Sequence, residues 1–253
     1  MQEDPLGLGI LPVEKDGFIH LGAPVGSQVF TYAAVKRQVD KVETLLEKLP
    51  DLENPHAEFV LLWSCFSLPK VSYLQRVCPP LPSCLQLWRN FDDSIRNALN
   101  RILGVGMGDT SWLQAQLPVS RGGLGIRSSI NFSSAAYLSS FSSSKGQITD
   151  LVPNLQIVEL EEAMEEETFE CLSQGELSLR IEEKLHQDLL NMTTITREKA
   201  RLQSLQLPHA GDWLFVVPSP VLGLQLRGPE FRTAVLYRLG EPLFLDRLSF
   251  LLF

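Results

Sequence analysis

The chain lacks the residue spacings that most chemistries need. Among its 253 residues there is no Cys-x-x-Cys and no His-x-x-x-His, so the usual ligand spacings of zinc sites are missing. Its four cysteines, Cys65, Cys78, Cys84 and Cys171, with His56 nearby, match no structural-zinc pattern. They read as buried or free thiols, and no metal or cofactor is expected. There is no P-loop and no Ser-His-Asp grouping. The Gly-Gly-Leu-Gly at 122–125 fails the G-x-G-x-x-G spacing and follows no strong strand, so it is not a dinucleotide fingerprint. No run approaches the ~20 apolar residues of a membrane span. The opening Met1-Gln2-Glu3-Asp4 is acidic, unlike a secretory signal. A reduced, intracellular protein with no membrane partner is the expectation.

Apolar residues make up 44% of the chain, which is enough to bury a real core. The formal charge of −8 is unevenly spread. Residues 1–150 hold 13 Lys+Arg against 14 Asp+Glu, whereas 159–188 hold 2 against 11. Global acidity argues against a nucleic-acid binder, but one acidic segment in a nearly neutral chain argues far less.

The hydrophobic period is mostly helical. Residues 1–17 read as a loose leader. Phe18, Ile19 and Leu21 suggest a short strand, with a turn at Gly22, Pro24 and Gly26. Ser27 is a good cap for a helix ending before Pro50, striped by Val35, Val39, Val42, Leu46 and Leu49. Asn54-Pro55 starts an apolar core helix that Pro69 interrupts. Ser83 is placed to cap a helix that closes at Leu103-Gly104, after which glycines 104, 106 and 108 read as a mobile link. A short helix around Trp112 stops at Pro118. The Ser/Ala-rich stretch 133–145 has weak helical period and suits either close packing or a poorly ordered surface. An acidic connector spans 146–190, and within it 157–172 reads as a solvated helix or a partner-binding one. Helical pattern resumes over 175–206. The tail 213–226 is strand-like but broken by Pro218 and Pro220. Residues 229–240 form a helix with Pro at its start and Gly at its end, and 243–253 reads as a chain cut in mid-domain.

The stretch Phe91-Asp92-Asp93 poses the question of catalysis. Two carboxylates sharing a metal pair must converge on ions ~3.5–4 Å apart. At about 100° per residue, Asp92 falls at the edge of the apolar stripe formed by Phe91, Ile95, Ala98 and Ile102, and Asp93 falls on the far face. The two diverge, so both are expected on a solvated helix, with Asp92 pairing Arg96 at i+4.

Several stretches, in order, resemble the region after the catalytic palm in reverse transcriptases of non-LTR retrotransposons. They are 18-FIHLGAPVGS-27, then Leu68-Pro69-Lys70-Val71-Ser72-Tyr73 followed by Pro79-Pro80, then Trp112, Pro118 and 122-GGLGIR-127. His20 departs from the aromatic that the family carries in the first motif. In that family an aromatic-x-Asp-Asp carries the catalysis, whereas here the aromatic sits one position too close. The resemblance covers residues 18–145, and 211–240 look like the C-terminal part of related retroelement proteins.

The resemblance implies a mainly α fold, a thumb-like helical bundle with a short N-terminal strand-turn and a mixed helical and irregular C-terminal part, 191–253. It also implies a catalytically incomplete chain, not an enzyme, that binds RNA or an RNA–DNA duplex at most. Phosphate-contacting candidates are Lys36, Arg37, Lys41, Lys70, Arg76, Arg121 and Arg127. Gly122 and Gly123 form a loop that a phosphate could approach closely. An alternative is a protein-interaction or self-associating module. In that case the face Val35, Val39, Val42 and Leu46, together with the unpaired edge of the 18–21 strand, would be left exposed for a partner. A degenerate fragment without a selected role is the third reading.

Overall fold

The computed structural model describes residues 16–151 and 173–243. The leader up to residue 15, the acidic stretch 157–172, Cys171 and the end 244–253 lie outside the described residues. The fold is mainly helical, with one small antiparallel sheet.

The chain enters as a hairpin, β1 (Gly17–His20) paired with β2 (Ala23–Gly26), in the register Phe18↔Val25 and His20↔Ala23. Leu21 and Gly22 are both left-handed, at φ 49° and 85°, the geometry of a tight hairpin turn. The expected turn is thus corrected, because 23–26 form a partner strand, which covers one edge of β1 and leaves its other edge unpaired. Tyr73 donates its hydroxyl to the Leu21 carbonyl at 2.8 Å, which fastens the strained tip to a later helix.

Helix α1 (Gln28–Lys48) starts where the Ser27 hydroxyl accepts from the Phe30 amide. Its stripe Val35, Val39, Val42 and Leu46 is buried to 3% exposure or less. The face expected to lie open for self-association is therefore core. It packs on α4 (Pro82–Leu103), whose own stripe Trp88, Phe91, Ile95, Ala98, Leu99 and Ile102 is equally buried. Burying each such side chain contributes roughly 1.5–3 kcal/mol, so this seam is the main stabilising contact of the N-terminal half.

Helix α2 (Pro55–Leu61) is capped by the Asn54 side chain and runs into a π-helical turn over Leu62–Phe66. The break comes at Ser67, one residue before α3 (Leu68–Val77), whose first turn holds Pro69. Helix α4 starts at Pro82 with Leu81 at its cap position and no side-chain cap, so Ser83 lies inside the first turn rather than before it. Gly104, left-handed at φ 72°, ends α4. The glycine link after it is pinned, contrary to expectation. Met107 is buried, its amide donates to Asn100, and its carbonyl accepts from Arg96 at 2.7 Å.

Beyond this link lie α5 (Asp109–Gln116) and α6 (Ser129–Leu151). Helix α6 packs along α3 and α4, so the Ser/Ala-rich stretch is a packed helix, and it runs through residues 145–146 without a break. Then come α7 (Gln174–Met192), α8 (Thr196–Ser204) and α9 (Gly228–Leu239). Residues 213–226 form no strand among the described residues. They hold the end of a short 3-10 turn, Asp212–Phe215, and irregular chain. Helix α9 has Pro229 in its first turn and a left-handed Gly240 at its end, as its sequence indicates. Its Phe231, Val235, Leu236 and Leu239 join the same core as α1 and α4. Helices α7 and α8 rest on a small separate cluster of Leu117, Leu189 and Leu202.

Candidate nucleic-acid interface

The basic residues singled out by sequence fall into three groups. Arg37 and Lys41 stand one turn apart on α1, and Lys70 stands on α3. Together with Gln38, Tyr73 and the hairpin residues Ile19 and Gly22 they line one groove of about 320 Å³. Gln38 reaches across to the Lys70 carbonyl at 3.5 Å, and Tyr73 ties the hairpin to the same edge. Arg37, Lys41 and Lys70 are exposed. Among the described residues none of the three has an ion-pair partner, and no carboxylate lines the groove.

Lys36 and Arg76 lie outside this groove. Lys36 is held by Asp40 at 2.7 Å, and that hydrogen bond raises its pKa above the usual lysine value. Arg76 is exposed on α3.

Arg121 and Arg127 flank the Gly-rich loop, but both are occupied. Arg121 pairs with Glu183 at 2.5 Å and Arg127 with Glu182 at 2.5 Å. Both carboxylates come from α7, so the described end of the acidic connector is a docked helix. Glu182 is itself buried. Arg127 also lies over the Phe132 ring, 5.4 Å from its centre.

The loop does not offer free amides to a phosphate. Those of Arg121, Gly122, Gly123, Leu124, Gly125, Ile126 and Arg127 all donate to backbone carbonyls between Ala115 and Gly125. Gly123 is there for packing, since a Cβ on it would meet the Leu117 carbonyl oxygen at 2.0 Å. The phosphate-cradle expectation for Gly122 and Gly123 is corrected for that reason: the loop has folded onto itself.

What holds the loop is a residue that the sequence reading missed. Arg238 of α9 is 2% exposed and donates to the carbonyls of Gly123, Ala210 and Val119 at 3.0, 3.1 and 2.7 Å. Its own carbonyl accepts from Gln114 and Arg201. Burial, with Arg201 nearby, lowers its pKa to about 10. The signal was present in the pattern: Phe231, Val235 and Arg238 share one helical stripe, so an arginine there must be buried.

Asp92 and Asp93 do diverge, but Asp92 is not solvated. It is buried at 7% exposure. It accepts from the Ser128 hydroxyl at 2.6 Å and from the amides of Ser129 and Ile130 at 2.7 and 3.2 Å. It is thus a cap for α6 supplied from another helix. Desolvation raises its carboxyl to about 6, against the pull of these donors. Arg96 pairs with Asp109 at 2.9 Å instead. Asp93 is exposed.

Elsewhere, burial and the neighbouring Cys84 push the Cys78 thiol up to about 12. Among the described residues no cluster of three or more His, Cys, Asp or Glu could hold a metal, and no helix is long and apolar enough to cross a membrane. Comparison with known proteins finds no matching family model, curated relative or solved structure.

Proposed function

We propose that the chain is a non-catalytic module that holds RNA or an RNA–DNA duplex by its phosphate backbone. The observation that carries this reading is the groove of Arg37, Lys41 and Lys70, three exposed cations without carboxylate partners among the described residues. Cations free of carboxylate partners can release the counterions of a polyanion, the main source of such affinity. Contacts of this kind position a duplex without reading its sequence, which agrees with a thumb-like role for the helices. The placement of Asp92 as a helix cap and of Asp93 on an exposed face supports a role without polymerase chemistry.

The test is an anisotropy titration of a labelled RNA–DNA hybrid. Binding that weakens on Arg37→Ala, Lys41→Ala and Lys70→Ala in combination supports the reading. Flat traces from a folded protein overturn it.

One observation favours a second reading, self-association. Val217, Val221 and Leu222 are 70%, 94% and 71% exposed in the irregular segment after Phe215, and apolar side chains grouped at a surface are a common basis for association. Sedimentation at increasing concentration is expected to show a rising mean size that V221D removes. A single concentration-independent species would exclude it.

A further inference from the structure

A second cavity lies on the other side of α3 from the cationic groove. It holds about 550 Å³, within the ~300–1,000 Å³ usual for small-molecule sites. Leu68, Pro69 and Ser72 of α3 line it, while Lys70, Tyr73 and Leu74 line the groove. Helix α3, ~10–12 Å across with its side chains, separates the two, a span of a few nucleotide steps at ~3.4 Å each.

The lining suits a base and its phosphate. Trp63 and Phe215 form an aromatic pair, ring centres 5.1 Å apart and tilted by 57°, and Phe215 is 48% exposed. Trp63 and Ser64 belong to the π-helical turn, a distortion frequent at functional sites. Ser64, Ser67 and Ser72 each donate their hydroxyl proton to a helix carbonyl, so their oxygens are left as acceptors for the amino groups of a base. Arg127 supplies the cation. Its guanidinium spends one Nη on Glu182 and keeps 44% side-chain exposure, and a guanidinium has further donors for a phosphate.

We propose that this cavity takes one unpaired nucleotide, its base against Phe215 and Trp63 and its phosphate toward Arg127. The preferred ligand of the chain is then a duplex that carries a single-stranded extension. This rests on the cationic groove holding the duplex part.

The experiment uses the full chain and two labelled RNA–DNA hybrids of one sequence, blunt or with a short unpaired extension, followed by anisotropy. Stacking on one aromatic side chain predicts roughly tenfold tighter binding of the extended hybrid. Phe215→Ala is expected to remove that advantage and leave blunt-hybrid affinity unchanged. Because Phe215 is half exposed, the variant should fold, and its circular dichroism checks this. Equal affinity of the two hybrids for the unaltered chain, or an advantage that survives F215A, overturns this proposal alone. Failure to bind either hybrid overturns the groove reading and this proposal with it.

Discussion

Replacing Asp92 by alanine tests how far an internal carboxylate, added to the local Ser128 cap on the Asn131 amide, holds the start of α6. The substitution removes the acceptor of three bonds, from the Ser128 hydroxyl and from the Ser129 and Ile130 amides. Losing a helix cap costs about 0.5–2 kcal/mol, and a buried donor left without a partner costs about 1–3 kcal/mol. These overlap, so D92A is expected to lower stability by about 3 kcal/mol at pH 7. For a chain of this size that corresponds to roughly 6–12 °C in Tm.

The Asn variant separates charge from hydrogen bonding. The native carboxyl titrates at about 6, above its ordinary 3.8, so the folded state binds the proton more tightly than the unfolded one. The contribution of this ionisation to stability is thus greatest below pH ~4, falls as pH rises toward 6, and is flat above it. The full swing is of order 3 kcal/mol. Urea unfolding followed by tryptophan fluorescence at pH 4, 5, 6 and 7 reads both effects. The stability of the unaltered chain relative to D92N should decline over that range. A D92A loss below ~1 kcal/mol, or a constant difference from D92N, would refute the reasoning.

Two further outcomes follow from buried groups. Arg238→Met leaves the carbonyls of Gly123 and Ala210 without their donor and that of Val119 with the Gly122 amide alone, and urea unfolding should show a loss of about 2–4 kcal/mol. His56 is stacked on Phe231 at 5.0 Å, and its Nδ1 accepts from the Leu226 amide. Burial lowers its pKa, while the Val216 backbone offsets part of this without meeting hydrogen-bond geometry at Nε2. The folded state therefore favours the neutral ring, and stability from this group is full above pH 6.5 and lost as pH falls below it. His56→Gln should remove that component from the same urea series; an unchanged acid slope would contradict the assignment.

Helix positions were largely legible because their caps and stripes are local signals. Ser27, Asn54, Pro229, Gly104 and Gly240 mark ends by their own backbone chemistry. The misread elements depend on partners outside their own segment. The 23–26 turn became a strand because β1 gave its amides and carbonyls a partner. The glycine link is fixed by Arg96 and Asn100 from α4. Asp92 is buried because the α6 N-terminus, 36 residues later, needs an acceptor; a sequence shows a carboxylate but not the amides that reach it. In the candidate site the basic residues were legible as types, but their grouping was not. Arg37, Lys41 and Lys70 converge only when α1 lies beside α3. Arg121 is withdrawn, and Arg127 left with only part of its guanidinium free, because Glu183 and Glu182 dock on them.

The most direct test of the central claim is the salt dependence of hybrid binding by the unaltered chain and by the R37A/K41A/K70A variant. Three phosphate contacts predict that the log–log slope of affinity against salt is shallower in the variant by about 2–3, with both proteins folded. Identical slopes, or binding by the unaltered chain that ignores salt, would contradict the account.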